Sequence, residues 1–207
     1  MMANKRLKSG DVLQIPLPKK MGYAYAKYID LSKIDPSISF PDMIRVFDYR
    51  TESAGYDFEY MKHQDYIIAP KLVAGLPLTI KQQIWKIIEH LNLDDSDRII
   101  PHFSRNEDWN QSDPVKQGKD KWYYCLNADI SRKNKTTYEK IEHLTLLSAI
   151  GTGVLETEVA MAFLIKEGKK VSEYFDLSEF YEKVIYQRLV SGTPYFRLPK
   201  ESRDFVV

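Results

Sequence analysis

Four histidines (His63, His90, His102 and His143) and one cysteine (Cys125) are the residues best suited to metal or nucleophilic chemistry. No pair of histidines has the spacing of a helical zinc motif. His90 and His102 bracket Asp94 and Asp97, so a fold that joined them would offer a metal cage or a hydrolytic trio. Scattered histidines more often pack or lie on the surface, and the expectation is no metal and no cofactor. Cys125 lies within Trp122-Tyr123-Tyr124-Cys125-Leu126, where no neighbour would favour a thiolate, and it reads as a small buried hydrophobe. Asp94-Asp95-Ser96-Asp97 looks like part of a calcium loop, but Ile100 stands where the sharp turn needs glycine, counted from Asp95. It reads instead as an exposed acidic turn. Gly151-Thr152-Gly153 precedes a helix, yet Glu156 replaces the third glycine of a dinucleotide fingerprint and would repel phosphate, so a hinge is the better reading. There is no nucleophile elbow and no phosphate-loop lysine. Nothing singles out two carboxylates as an acid–base pair. No catalytic residue is assigned.

The elements that must hold these residues fall into two regions of a 207-residue chain read as a single domain. Hydrophobic residues make up 43% and aromatics 13%, including 14 tyrosines, which is too apolar for a disordered chain. The charge is near balance, with 30 Lys+Arg against 29 Asp+Glu, so no global basic excess points to nucleic acid. A single cysteine excludes an internal disulfide. No apolar run approaches the ~20 residues of a membrane span, and the polar, basic N-terminus lacks the apolar core of a signal peptide. A cytoplasmic location without membrane contact is expected.

Residues 10–126 read as β-rich and 136–192 as helical, an α+β organisation. Val12–Leu17, with Pro16 ending it or placing it at an edge, Tyr23–Ile29, Met43–Tyr49 and Tyr66–Ala69 form a curled, barrel-like antiparallel meander. Its connections are too short for helical crossovers. Along the second strand Tyr23, Tyr25, Lys27 and Ile29 share one face, and Ala24, Ala26 and Tyr28 the other. Residues 79–91 fit two templates: Thr79 and Gln82 have capping-box form and the isoleucines helical spacing, but 84–91 also suits a strand. Residues 104–121 read as a polar loop and Trp122–Leu126 as a strand. Helices are expected from Thr136 to about Ala149, from Val154 to Lys166 with Gly168 as terminator, and from Asp176 as cap to Gly192. The helical region is expected to pack on the sheet.

The opening Gly10-Asp11-Val12-Leu13-Gln14-Ile15-Pro16-Leu17 with Gly22-Tyr23-Ala24-Tyr25-Ala26-Lys27 resembles immunity protein family 26 of bacterial polymorphic toxin systems. Trp85-Lys86-Ile87-Ile88-Glu89-His90 and Ile99-Ile100-Pro101-His102-Phe103 are similar to its later segments, although Glu89 stands at a usual glycine. The resemblance covers roughly residues 7–103 and implies that 84–91 is a strand. It also implies a function: stoichiometric binding and neutralisation of a cognate protein toxin. Such a protein needs an exposed rigid patch with an aromatic anchor in a polar rim. Asp94, Asp95 and Asp97 are the acidic candidates and Trp109, in the polar loop, the aromatic one. Trp85 and Trp122 read as core.

Two other readings remain open. A β-sheet presenting Tyr23, Tyr25 and Lys27 beside Lys19-Lys20 would suit nucleic acid. A pocket joining His90, His102 and Asp97 would suit a hydrolase.

Overall fold

The computed structural model describes residues 7–107 and 121–206. Strands β1 (Asp11–Pro16), β2 (Tyr23–Asp30) and β3 (Asp42–Thr51) form the expected antiparallel meander. The β1–β2 turn closes with Leu17 N–H donating to Gly22 O at 2.8 Å. Gly22 has φ +82°, and a Cβ there would lie 1.9 Å from Thr51 O, so both conformation and space require glycine. A one-turn helix, α1 (Phe58–Met61), follows.

Strand β4 (Lys71–Ala74) joins the far side of β3, and helix α2 (Leu76–Lys81) leads into β5 (Lys86–His90), which returns to pair with β1. Strands β6 (Phe103–Asn106), β7 (Trp122–Cys125) and β8 (Lys133–Thr136) form a second, antiparallel sheet. After the single turn α3 (Tyr138–Ile141), β9 (Ala149–Gly151) runs parallel to β4. Helices α4 (Thr152–Lys166) and α5 (Phe180–Val190) complete the order. The first sheet has six strands in the order β5-β1-β2-β3-β4-β9. It is mixed and open, with β5 and β9 at its edges, not closed as a barrel.

The alternation read from β2 holds. Ala24, Ala26 and Tyr28 share a core cluster with Leu13, Ile15, Ile44 and Val46 and with α4 residues from Leu155 to Leu164. Residues 159–164 of α4 are all buried, as befits a helix with neighbours on several sides. On the opposite face Val12, Tyr25 and Phe47 pack with Met61, while Ile29 and Met43 pack with Phe103, Cys125 and Leu147 around the second sheet.

Several boundaries differ from the sequence reading. Tyr66 makes only an isolated bridge to Phe47, and the strand starts after Pro70, which has no N–H to give the ladder. The helix expected over 136–149 is one turn long. Ser104 N–H donates to Thr145 O (2.8 Å) and Leu147 N–H to Ser104 O (2.7 Å), so this segment spends its backbone groups on β6, and Ala149 enters the main sheet. Asp176 does not cap α5: its Oδ1 accepts from Ser178 N (2.9 Å) and Ser178 Oγ (2.6 Å), and Glu179 is the cap. Residues 79–91 divide between both templates, because Gln83 adopts φ +58° and breaks α2 from β5. Among the described residues no helix is long and apolar enough to cross a membrane.

Candidate binding surface

The acidic turn after β5 is tied to the sheet by a buried ion pair. Asp97 is fully buried, and its Oδ2 accepts from Lys27 Nζ at 2.7 Å and from Asp94 N at 3.0 Å. Asp94 Oδ1 in turn accepts from Asp97 N (3.1 Å) and Ser96 Oγ (2.6 Å), so the turn closes on itself. Asp94 Oδ2 lies 3.8 Å from Lys27 Nζ. Burial works against the charge of Lys27, but Tyr66, Asp97 and Asp94 outweigh it and hold the ammonium above its usual range. Partial burial also opposes ionisation of Asp94; the Ser96 and Asp97 hydrogen bonds and Lys27 prevail and keep its carboxyl low.

Asp97 therefore presents no surface to a partner, and its candidacy as a contact is corrected to that of an internal anchor. Asp94 and Asp95 are exposed, as is Ile99 (53%), while Ile100 plugs the turn into the core beside Phe103. The result is a short exposed turn carrying Asp94, Asp95 and Arg98 with one apolar side chain, Ile99, held by Asp97 and Ile100. Trp109 lies outside the described residues.

A second charge, unread in the sequence, sits beside Lys27. Its register partner Arg45 is buried and meets Asp204 Oδ2 at 2.8 Å. Tyr195 OH donates to Asp204 Oδ1 (2.9 Å), and Arg203 pairs with Asp65 (2.8 Å). The C-terminal segment is further held where His102 N donates to Asp204 O (2.7 Å), Val206 N donates to His102 Nδ1 (3.1 Å) and His143 Nε2 donates to Phe205 O (3.0 Å). Burial, then the charge of His143, pushes the His102 imidazole below its usual range, in keeping with its role as acceptor. Arg45 stands alone between Met43 and Phe47 on its buried face of β3, which signals a buried counter-charge; nothing local identifies Asp204 as that charge.

The three residues of the hydrolytic reading have separate partners: His90 Nδ1 lies 3.0 Å from Asp11 Oδ1, His102 holds the C-terminal segment, and Asp97 holds Lys27. Among the described residues no group of three or more His, Cys, Asp or Glu is placed to hold a metal. Burial pushes the Cys125 thiol up, away from reactivity. The nucleic-acid face is also covered. Tyr25 is fully buried, bonded to Thr51 Oγ1 (2.7 Å) and flanked by the rings of Tyr49 and Tyr56, and Lys27 is in its ion pair. Trp85, just before β5, and Trp122, in β7, are buried.

In comparison with known proteins, the family model described as immunity protein 26 matches residues 8–114, which takes in the first five strands, the acidic turn and β6. No curated protein and no solved structure matches.

Proposed function

The chain belongs to the immunity protein 26 family, and on that premise we propose that it binds and neutralises a cognate toxin of a bacterial polymorphic toxin system by stoichiometric protein–protein contact, in the cytoplasm and without catalysis. The family match over residues 8–114 carries this reading. The geometry supports it, because Asp94 and Asp95 stand on a turn fixed by the Lys27–Asp97 pair, with Ile99 beside them. A preorganised patch binds without the entropy cost of ordering a loop. Its charge would steer a basic face of the toxin toward it, locally, since the whole chain carries only +1. Trp109 is proposed as the aromatic anchor.

The test is protection. Cells producing the cognate toxin domain should survive when this chain is co-expressed, and the two purified proteins should form a complex of fixed stoichiometry. Survival without a complex, or a complex without survival, would sink the reading.

A further inference from the structure

Where the second sheet meets α5, a groove of about 440 Å³ carries two arginines. Arg105 comes from β6 and Arg188 from α5, with Phe40 and Ser148 beside them. Among the described residues neither guanidinium makes an ion pair, and no carboxylate lines this groove. The groove adjoins a second cavity of about 150 Å³ between α4, α5 and the 142–150 segment; the two share Ser104, Leu146, Ser148 and Arg188.

That inner cavity is mostly apolar, walled by residues such as Ile67, Ile150, Ala162 and Ile185. Its acidic lining groups are Glu158, neutralised by Lys71 at 2.5 Å, and Glu142, which does not line the groove. Two of its lining residues carry a buried polar atom without a hydrogen-bond partner: Trp122, 2% exposed, at Nε1, and Thr145 at Oγ1. A buried donor without an acceptor is costly, and protein interiors rarely keep one. An apolar cavity of about 150 Å³ accepts a guest the size of benzene. A guanidinium is the protein group best matched to a carboxylate, which it can hold through two parallel hydrogen bonds.

We propose that this composite site docks an acidic peptide segment of a protein partner, with one apolar side chain in the inner cavity and its flanking carboxylates on Arg105 and Arg188. The proposal deepens the toxin-binding reading and rests on it for the identity of the partner, but its chemistry is opposite to that of the Asp94–Asp95 turn. The partner therefore carries a basic patch for the turn and an acidic-apolar segment for the groove.

The test uses the full chain and a short acetylated peptide with a central phenylalanine flanked by aspartate and glutamate. The reporter is the Trp122 indole N–H resonance, assigned with a Trp122→Phe variant. The acidic peptide should shift it saturably. The Asn/Gln analogue of the peptide should bind roughly tenfold or more weakly, and so should the acidic peptide to an Arg105→Glu/Arg188→Glu variant, whose changes lie outside the core. Equal binding by the neutral analogue, unchanged binding by the double variant, or a response to inorganic phosphate alone with none to the peptide would each overturn the proposal. Toxin protection that survives in the double variant would overturn the groove and leave the immunity reading standing. Peptide binding at the groove with no protection by the parent chain would do the reverse.

Discussion

Lys27 Nζ stands 2.7 Å from Asp97 Oδ2 across a sequence separation of 70, with the lysine side chain 7% exposed and the aspartate fully buried. This contact converts the polar turn after β5 into a fixed feature of the sheet. It also removes both residues from the surface on which sequence alternation would place Lys27.

Breaking that pair from either side should be severe. Lys27→Ala leaves the Asp97 carboxylate buried and unpaired, and Asp97→Ala strands the ammonium; each should cost about 3–5 kcal/mol in urea unfolding. A Lys27→Met/Asp97→Leu double variant should recover most of the loss. If the single variants unfold like the parent, the pair does not anchor the turn.

The exposed acids should act on association instead. Asp94→Asn/Asp95→Asn should shift stability by only about 0.5 kcal/mol while slowing association with the toxin and flattening its dependence on salt, read by surface plasmon resonance between low and physiological ionic strength. An unchanged association rate would remove this turn from the interface.

The chain end should matter as much as the core. Asp204→Ala leaves Arg45 buried without its counter-ion and frees Tyr195 OH, for an expected loss of about 3–5 kcal/mol. Hydrogen exchange should show faster opening at His102 N, whose acceptor is Asp204 O, and at neighbouring β6.

Glu156 accepts from Trp85 Nε1 at 2.6 Å, and burial, only partly opposed by that bond, raises its carboxyl above the usual range. A raised carboxylate pKa means that its contribution to stability is full below the unfolded value near 4.5 and is lost as pH rises through the folded value. Glu156→Gln keeps the oxygen acceptor and removes the charge. The urea midpoint of the variant relative to the parent should therefore be higher at pH 7 than at pH 4; a pH-independent difference would contradict the assignment.

Gly22→Ala should fail to fold well at any pH. The φ of +82° and the 1.9 Å approach of a Cβ to Thr51 O both oppose a side chain. The drop in thermal midpoint should far exceed that of Gly55→Ala, where the nearest atom lies at 3.8 Å.

The strands of the meander were legible because each is a local pattern. The period-2 alternation from Tyr23 to Ile29 assigns Ala24 and Ala26 to the face that packs with α4, and Gly22 marks its turn by a conformation other residues avoid. The resemblance carried by Gly10–Lys27 and Trp85–His90 is equally local, and the family match over residues 8–114 takes in both segments. What the sequence left open depended on partners far along the chain. Thr136–Ala149 has helical signals, yet Thr145 and Leu147 bond to Ser104 and Ala149 pairs with Leu72, because backbone pairing with an available strand outweighs a weak local preference. Asp94, Asp95 and Asp97 are alike in sequence; only the position of Lys27 in the folded sheet makes one an anchor and leaves two exposed. Arg105 and Arg188 meet at one groove for the same reason: charge type is written in the chain, but which charges share a neighbourhood is decided by packing.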